Sequence, residues 1–411
     1  MQRRVVITGL GLITPLGADL ASTWAGLVEG KSGIAPITRF NANGFRSSIA
    51  GEVLDFDPEQ HLPRKDARRM DRFCQFGVAA AAMAIEDAGL REAGYAQDDV
   101  GVILGSGIGG LETLEAQHSL LLERGPDRIS PLYIPMQIAD IAAGQVSILF
   151  GFTGPNHATV SACATGAQAL ADAFLLVRHG YAEAMLAGGC EAAVTPMAMA
   201  GFSAMRALSE RNDEPHRASR PFDRERDGFV LSEGAGVLVL EELTRAHQRG
   251  ATIYAELAGI GLSADAYHLT QPEPSGRGAA RAMTMALRTA GLDPELIGHI
   301  NAHGTSTPYN DRFETSAIKQ VFGERAYRLA ICSNKSMIGH MLGAAGAVEC
   351  AVTALTLFHG IVPPTINLDH PDPDCDLDYT PHTARELRLE AALCNSFGFG
   401  GHNVSLALRR P

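Results

Sequence analysis

Three side chains that lie far apart in the sequence carry groups able to run thioester chemistry together. They are Cys163 in VSACATGAQALADAF, His303 in NAHGTSTPYND and His340 in SNKSMIGHMLGAAGA. Cys163 follows an apolar strand, passes through small residues and enters an alanine-rich helix, so its thiol stands at a helix N-terminus. Free amides and the helix dipole there favour a thiolate, which is expected to lower the thiol pKa, and small neighbours leave room for a thioester. The same sulfur taken alone also reads as inert packing. Each histidine sits beside glycine at the end of an apolar segment, where a lone imidazole commonly plays a structural part. A further piece, CNSFGFGGHN at 394–403, has glycines that allow backbone amides to converge as an anion nest, and hence an oxyanion hole, or simply to make a hairpin turn.

Cysteine with two histidines also raises zinc, but the ligands are dispersed and no HxxxH or CxxC pair offers a rigid half-site. The run DHPDPDCDLD at 369–378 alternates aspartate as a calcium loop does, yet lacks the turn glycine and the closing glutamate, and is expected to be a solvated loop.

The elements that must position these residues emerge when the chain is compared with itself. AAMAIEDAGL (81–90) resembles AMTMALRTAGL (282–292), and each leads to a short strand ending in a glycine loop, GSG at 105–107 and AHG at 302–304. GAQALADAFLLVRHG (166–180) parallels GAAGAVECAVTALTLFHG (343–360), and SEGAGVLVLEEL (232–243) parallels GFGGHNVSLALRR (398–410). Three matched pairs in one order point to a duplication with its seam near 250–255. Residues 1–252 then form a half carrying the nucleophile, and residues 253–411 a half carrying the histidines. The repeated helices are apolar on nearly every face, which places them between sheets in a five-layer α-β-α-β-α sandwich of βαβ-like halves. The duplication brings both histidines to the end of the core that holds Cys163.

Composition narrows the function classes. The 411 residues are 46% hydrophobic and 19% charged with 44 glycines, as suits a compact α/β enzyme. With 34 basic against 46 acidic residues the formal charge is −12, which disfavours general attraction to nucleic acid or anionic membrane. Seven cysteines, odd in number and without a CxxC, argue against a disulfide framework and for a reducing, cytoplasmic setting. The opening MQRRVVITGLGLITPLG reads as strand then turn rather than an export signal, and no apolar run approaches the roughly 20 uninterrupted residues of a spanning helix, so no membrane insertion is expected.

Through SACATG around Cys163, NAHGTSTP around His303, NKSMIGHMLGAAGAVE around Lys335 and His340, and CNSFGFGG near the C-terminus, the chain resembles, end to end, the elongating β-ketoacyl-acyl-carrier-protein synthases of type II fatty-acid synthesis. The resemblance implies a homodimer of thiolase-fold subunits in which Cys163 accepts an acyl group from acyl-carrier protein, the amides of Cys163 and Phe399 hold the oxyanion, and His303 and His340 stabilise the enolate formed when malonyl-carrier protein loses carbon dioxide. Lys335, paired with Glu349, would fix the hydrogen bonding of the histidines. No cofactor of its own is implied, since phosphopantetheine arrives on the carrier.

The same resemblance assigns Thr305 and Thr307 to the phosphopantetheine amides, Phe399 to a gate, Gly400 to substrate binding, Thr270 to the entrance, and Ile108 and Phe202 to an acyl tunnel closed by Tyr133 of the partner subunit. Lys65, Arg68 and Arg69 match a helix that docks the acidic carrier, with Arg206 a further candidate; a solvated helical face is the alternative. The chain departs from the family pattern at His402 and Ile338, where threonine is common, and at Tyr133, where phenylalanine is usual, which leaves chain length and acyl type open. Three other readings share the fold. A non-catalytic chain-length factor would lack the cysteine, a thiolase would use a second cysteine such as Cys394, and a polyketide, polyene or Nod-factor synthase is the nearest rival.

Overall fold

The computed structural model describes residues 3–411. Ten strands of its large sheet define the frame: β1 Val5–Ile13, β2 Val100–Gly105, β3 Asn156–His157, β4 Ala184–Glu191 and β5 Gly234–Glu242 in the first half. The second half contributes β6 Ala255–Ala264, β7 Ile297–Asn301, β8 Ala330–Cys332, β9 Ala391–Gly398 and β10 His402–Arg409. Their spatial order is β8-β7-β9-β10-β6-β1-β5-β4-β2-β3, so each half repeats one order outward from the middle. Strand directions repeat too: β2 runs parallel to β3 and β4, as β7 does to β8 and β9, while β4–β5–β1 and β9–β10–β6 are antiparallel. The halves join where Val5–Ile7 of β1 pair antiparallel with Leu257–Ala255 of β6.

Five helices supply the layers: α1 Arg72–Ala88, α2 Thr165–Arg178, α3 Arg277–Ala290, α4 Asn310–Phe322 and α5 Ala345–His359. Helix α1 covers the outer face of the first half's strands and α3 that of the second, while α2 and α5 pack on each other between the two. The matched sequences behind α1 and α3 end alike, each capped by a left-handed glycine, Gly89 at φ 60° and Gly291 at φ 64°. Both outer helices also sit unusually close to their strands. A side chain at Gly11 would meet the Ala80 carbonyl at 1.9 Å, and one at Gly261 the Ala282 carbonyl at 1.8 Å, so small residues on both sides set the layer spacing.

Helix α5 is buried along nearly its whole length. The stretch Leu342–His359 is apolar enough by composition to cross a membrane, but 89% of it is inside the protein, so its hydropathy belongs to the central layer.

The acidic run 369–378 differs from the solvated loop expected of it. Asp369 pairs with Arg217, Asp372 with the buried Arg226, Asp376 with Lys319 and Asp378 with Arg385. The carboxylates strap this loop to both halves, to Arg217 and Arg226 of the first and to Lys319 and Arg385 of the second, and the pairs to Arg226 and Arg220 reach beneath the surface.

Candidate active site

The duplication fixes where the chemistry collects. After β3 the chain makes a single 3₁₀ turn, Ala162–Ala164, and enters α2. Ala162 takes φ 50°, a left-handed value uncommon for a residue with a Cβ, and the resulting elbow aims Cys163 off the helix end. Cys163 is 7% exposed, and the backbone N–H groups of Phe399 and of Cys163 itself face its sulfur. Phe399 lies in the turn between β9 and β10, which is tied down at its far side by Gly400 N–H donating to Leu269 O at 2.8 Å.

His303 leaves the end of β7. Its backbone N–H and that of Gly304 each donate to one oxygen of the Glu314 carboxylate at 2.9 Å, with Asn395 Nδ2 adding a third bond at 3.2 Å. This shell fixes the backbone of the loop, and the Nζ of Lys335 lies 3.5 Å from His303 Nδ1. An ammonium can only donate, so Nδ1 is the acceptor and the proton resides on Nε2. Lys335 is 1% exposed and its Nζ also pairs with Glu349. His340 is held through its backbone, donating to Val230 O at 2.8 Å and accepting from Ser232 N at 3.0 Å, with its ring edge-on to Phe229 and to His303 at centroid separations of 5.3 and 5.5 Å.

Burial governs the protonation states. It drives the pKa of both His303 and His340 well below the ordinary value, and the positive charge of Lys335 pushes the same way, so both imidazoles are neutral. Burial pushes Glu349 up to about 7 against the opposing pull of Lys335. The thiol departs from expectation. Desolvation raises Cys163 to about 11, outweighing Lys335 and the two amides, so the helix N-terminus does not by itself make a resting thiolate.

Cys163, His303, His340 and Phe399 line one cavity of about 270 Å³, together with Thr270, Thr305, Thr307, Phe202 and Arg206. Thr305 and Thr307 hydroxyls lie 2.9 Å apart on the loop after His303, beneath Ser306 at φ 66°. Lys335 and Glu349 sit behind the histidines rather than on the surface of the cavity. Ile108 packs into the apolar cluster that contains Cys163, Phe202 and Leu342 without lining the cavity. Gly400 is exposed, and its amide is spent on Leu269. Tyr133 opens a short helix, Tyr133–Gln137, and does not reach the cavity of its own chain. Lys65 and Arg68 lie on a short exposed turn with Arg69 beside it, outside the cavity. Cys394 is fully buried in β9 and lies off the cavity, which removes the thiolase-like role for a second cysteine.

Sequence reasoning missed Glu314 and Glu191, two buried carboxylates that organise the loops flanking the site. Their signal is slight: Glu314 is an acid in the first turns of a helix directly after the histidine loop, and Glu191 ends an otherwise apolar strand.

A duplicated α/β body with a cysteine elbow, two neutral imidazoles and an amide pair around one cavity defines a thiolase-fold enzyme that handles acyl groups on sulfur. The profile described as "Beta-ketoacyl synthase, N-terminal domain" matches residues 2–246, and that described as "Beta-ketoacyl synthase, C-terminal domain" matches residues 254–369. Over 409 residues the chain is 55% identical to the 3-oxoacyl-[acyl-carrier-protein] synthase 2 of Synechocystis, covering 100% of this chain and 98% of the relative. It is 51% identical to the enzyme of the same name from Vibrio harveyi, over 100% and 99% of the two chains. Among solved structures, a β-ketoacyl synthase from Burkholderia phymatum superposes with a TM-score of 0.93 at 38% identity over the full length of both chains. A type II polyketide ketosynthase in complex with its acyl-carrier protein, bound to a hexaketide, gives 0.93 at 37%, again over both full chains. The chain belongs to the β-ketoacyl synthase family.

Proposed function

We propose that the chain is an elongating 3-oxoacyl-acyl-carrier-protein synthase of fatty-acid synthesis, with Cys163 as nucleophile. In the first half-reaction the Cys163 sulfur attacks the acyl thioester of the carrier protein. A new S–C bond forms, the bond to the phosphopantetheine sulfur breaks, and the proton of the cysteine leaves with the carrier thiol. The Cys163 and Phe399 amides then hold the oxyanion that develops on the acyl oxygen.

In the second half-reaction malonyl-carrier protein enters. As its carboxylate leaves as carbon dioxide, the bonding pair moves onto the thioester to give an enolate, whose oxygen faces the Nε2–H of His303 and the ring of His340. The carbanion attacks the acyl carbon on Cys163, a C–C bond forms, and the cysteine sulfur departs as a thiolate that then takes up a proton. Neutral imidazoles suit this work, since each oxyanion needs a hydrogen-bond donor rather than an acid. In this reading Thr305 and Thr307 bond the pantetheine amides, Thr270 borders the entrance and Phe202 meets the acyl chain, with Ile108 packed behind in the same apolar cluster. The reaction asks for no metal or bound cofactor.

The observation that carries this reading is the convergence of the sulfur, both imidazoles and the Phe399 amide on one cavity. The fatty-acid assignment is favoured over a polyketide pathway by identity of 50–55% to the 3-oxoacyl-[acyl-carrier-protein] synthase 2 relatives against 37% to the type II polyketide ketosynthase. Lys65, Arg68, Arg69 and Arg206 form the basic dock for an acidic carrier. A homodimer and a cytoplasmic setting complete the proposal. Exposed Leu122, Ile134, Ile148 and Val160, at 57–74%, lie on neighbouring segments beside the unpaired edge strand β3 and support the first. Seven free, buried cysteines support the second.

Incubation with hexadecanoyl-carrier protein is expected to add one acyl mass to the peptide containing Cys163. An acyl mass on any other peptide would overturn the assignment.

A further inference from the structure

The carboxylate of Glu191, at the end of β4, is wholly buried and accepts four hydrogen bonds. Oε1 receives Ser106 Oγ at 2.8 Å and Ile108 N–H at 3.2 Å; Oε2 receives Gly107 N–H at 2.7 Å and Gly343 N–H at 3.0 Å. Three of these donors belong to the loop after β2 in the first half, and the fourth to the turn before α5 in the second. Ser106 Oγ extends the network by accepting Gly109 N–H at 2.9 Å. Ile108 and Leu342, the residues carried by these two loops, both pack in the apolar cluster around Cys163.

We propose that Glu191 is a positioning residue for the condensation: one carboxylate clamps the Ile108 loop to the Leu342–Gly343 turn, fixing the acyl-side wall, and sets a negative charge beside the nucleophile. The inference rests on the functional reading above. Burial raises the Glu191 pKa from the ordinary carboxylate value, and the four neutral N–H and O–H donors pull the other way by favouring an ionised acceptor, whose charge no bonded cation cancels. Across the site Lys335 opposes Glu191 in its effect on the Cys163 sulfur, while His303 and His340 are neutral. Glu191 thus adds to the desolvation that keeps the nucleophile a thiol until an acyl thioester arrives.

Glu191→Gln removes the charge and turns an amide NH₂ toward two N–H donors. Alkylation of Cys163 by iodoacetamide, followed by the mass of its peptide across pH, is expected to shift its midpoint down by about half a unit or more. The ratio of kcat/KM for hexadecanoyl- over octanoyl-carrier protein is expected to change several-fold. Ser106→Ala keeps the charge and drops one donor; it is expected to leave the alkylation midpoint in place and to move the chain-length ratio about twofold. An unmoved midpoint in folded Glu191→Gln would overturn the proposal. If that variant does not fold, an unaltered chain-length ratio in Ser106→Ala overturns it instead. Alkylation needs no turnover, so a wild-type protein that alkylates but never condenses counts against the functional reading and not against Glu191.

Discussion

The turn that feeds α2 and the turn that feeds α5 are the same structure used for opposite ends. Ala162–Ala164 and Leu342–Ala344 are both single 3₁₀ turns, and their first residues, Ala162 at φ 50° and Leu342 at φ 45°, share a left-handed backbone. The second position is Cys163 in one and Gly343 in the other. A Cβ at Gly343 would lie 2.4 Å from Gly107 N and 2.8 Å from Glu191 Oε2, so the second elbow must be bare for the halves to close on each other. Freed of a nucleophile, it brings His340 to the site three residues earlier. Duplication thus supplied two elbows, and one of them became the seat of the first.

Each half also steadies the loop after its second strand with a buried carboxylate. Glu191 gathers the amides of Gly107 and Ile108, and Glu314 those of His303 and Gly304. The bonding is similar but the placement is not: Glu191 comes from a strand and reaches across to the other half, while Glu314 comes from α4 and stays within its own. The first half offers apolar packing behind the cavity at this loop, and the second an imidazole.

The largest test of the division of labour lies at the first elbow. Cys163→Ala is expected to abolish the acyl-enzyme and to reduce elongation by on the order of 10³-fold or more, measured as labelled β-ketoacyl product. Elongation at near wild-type rate would mean that the elbow does not carry the nucleophile. Next in size, His303→Ala or His340→Ala should still load an acyl group on Cys163 but slow malonyl decarboxylation by about 10²–10³-fold. In the wild type, decarboxylation should run flat from about pH 6 to 8, because both imidazoles are neutral throughout that range. An acid limb with a midpoint near the ordinary histidine value would contradict neutral imidazole donors.

At the second elbow the expected effect is on stability. Gly343→Ala must push apart backbone rather than a flexible side chain, so it should cost about 1–3 kcal/mol and lower the melting temperature by several degrees. A melting curve indistinguishable from wild type would show that the elbow is not under this constraint.

How much of this was legible in the sequence follows from the kind of signal each feature leaves. The duplication is visible because matched helices need matched small residues: Ala80 and Ala84 against β1 have their counterparts in Ala282 and Ala286 against β6. A fourth repeated pair, GLGL in β1 and GIGL in β6, was readable on the same grounds and marks where each outer helix rests. Cys163, His303 and His340 stand out because their residue types do chemistry beside glycine turns. The raised thiol pKa was not readable, because motif position reports the dipole and amides but not the desolvation that outweighs them. The ion-paired acidic strap at 369–378 was missed for a related reason: apart from Arg385, the partner arginines and lysine lie dozens to about 150 residues away in sequence. Glu314 and Glu191 are ordinary glutamates until the fold surrounds them.

The smallest expected effect separates those two carboxylates. Burial pushes Glu314 up to about 7 from an ordinary value near 4.5. A carboxyl whose folded-state pKa is raised holds its proton more tightly in the native protein, so its contribution to stability is full below about 4.5 and is lost as pH rises through about 7. His299, His303 and His340 act in the opposite sense, since their lowered values disfavour the folded state in acid. The raw stability profile therefore mixes the two signs. Glu314→Gln cancels the carboxyl and leaves the histidines, so the wild-type-minus-variant difference in unfolding free energy should fall between about pH 5 and 7.5, by on the order of 1 kcal/mol. A difference that stays flat across that window would place an ionised Glu314 in the native state from the outset. The two loops would then be held by carboxylates of the same charge, and the contrast between the halves would rest on their elbows alone.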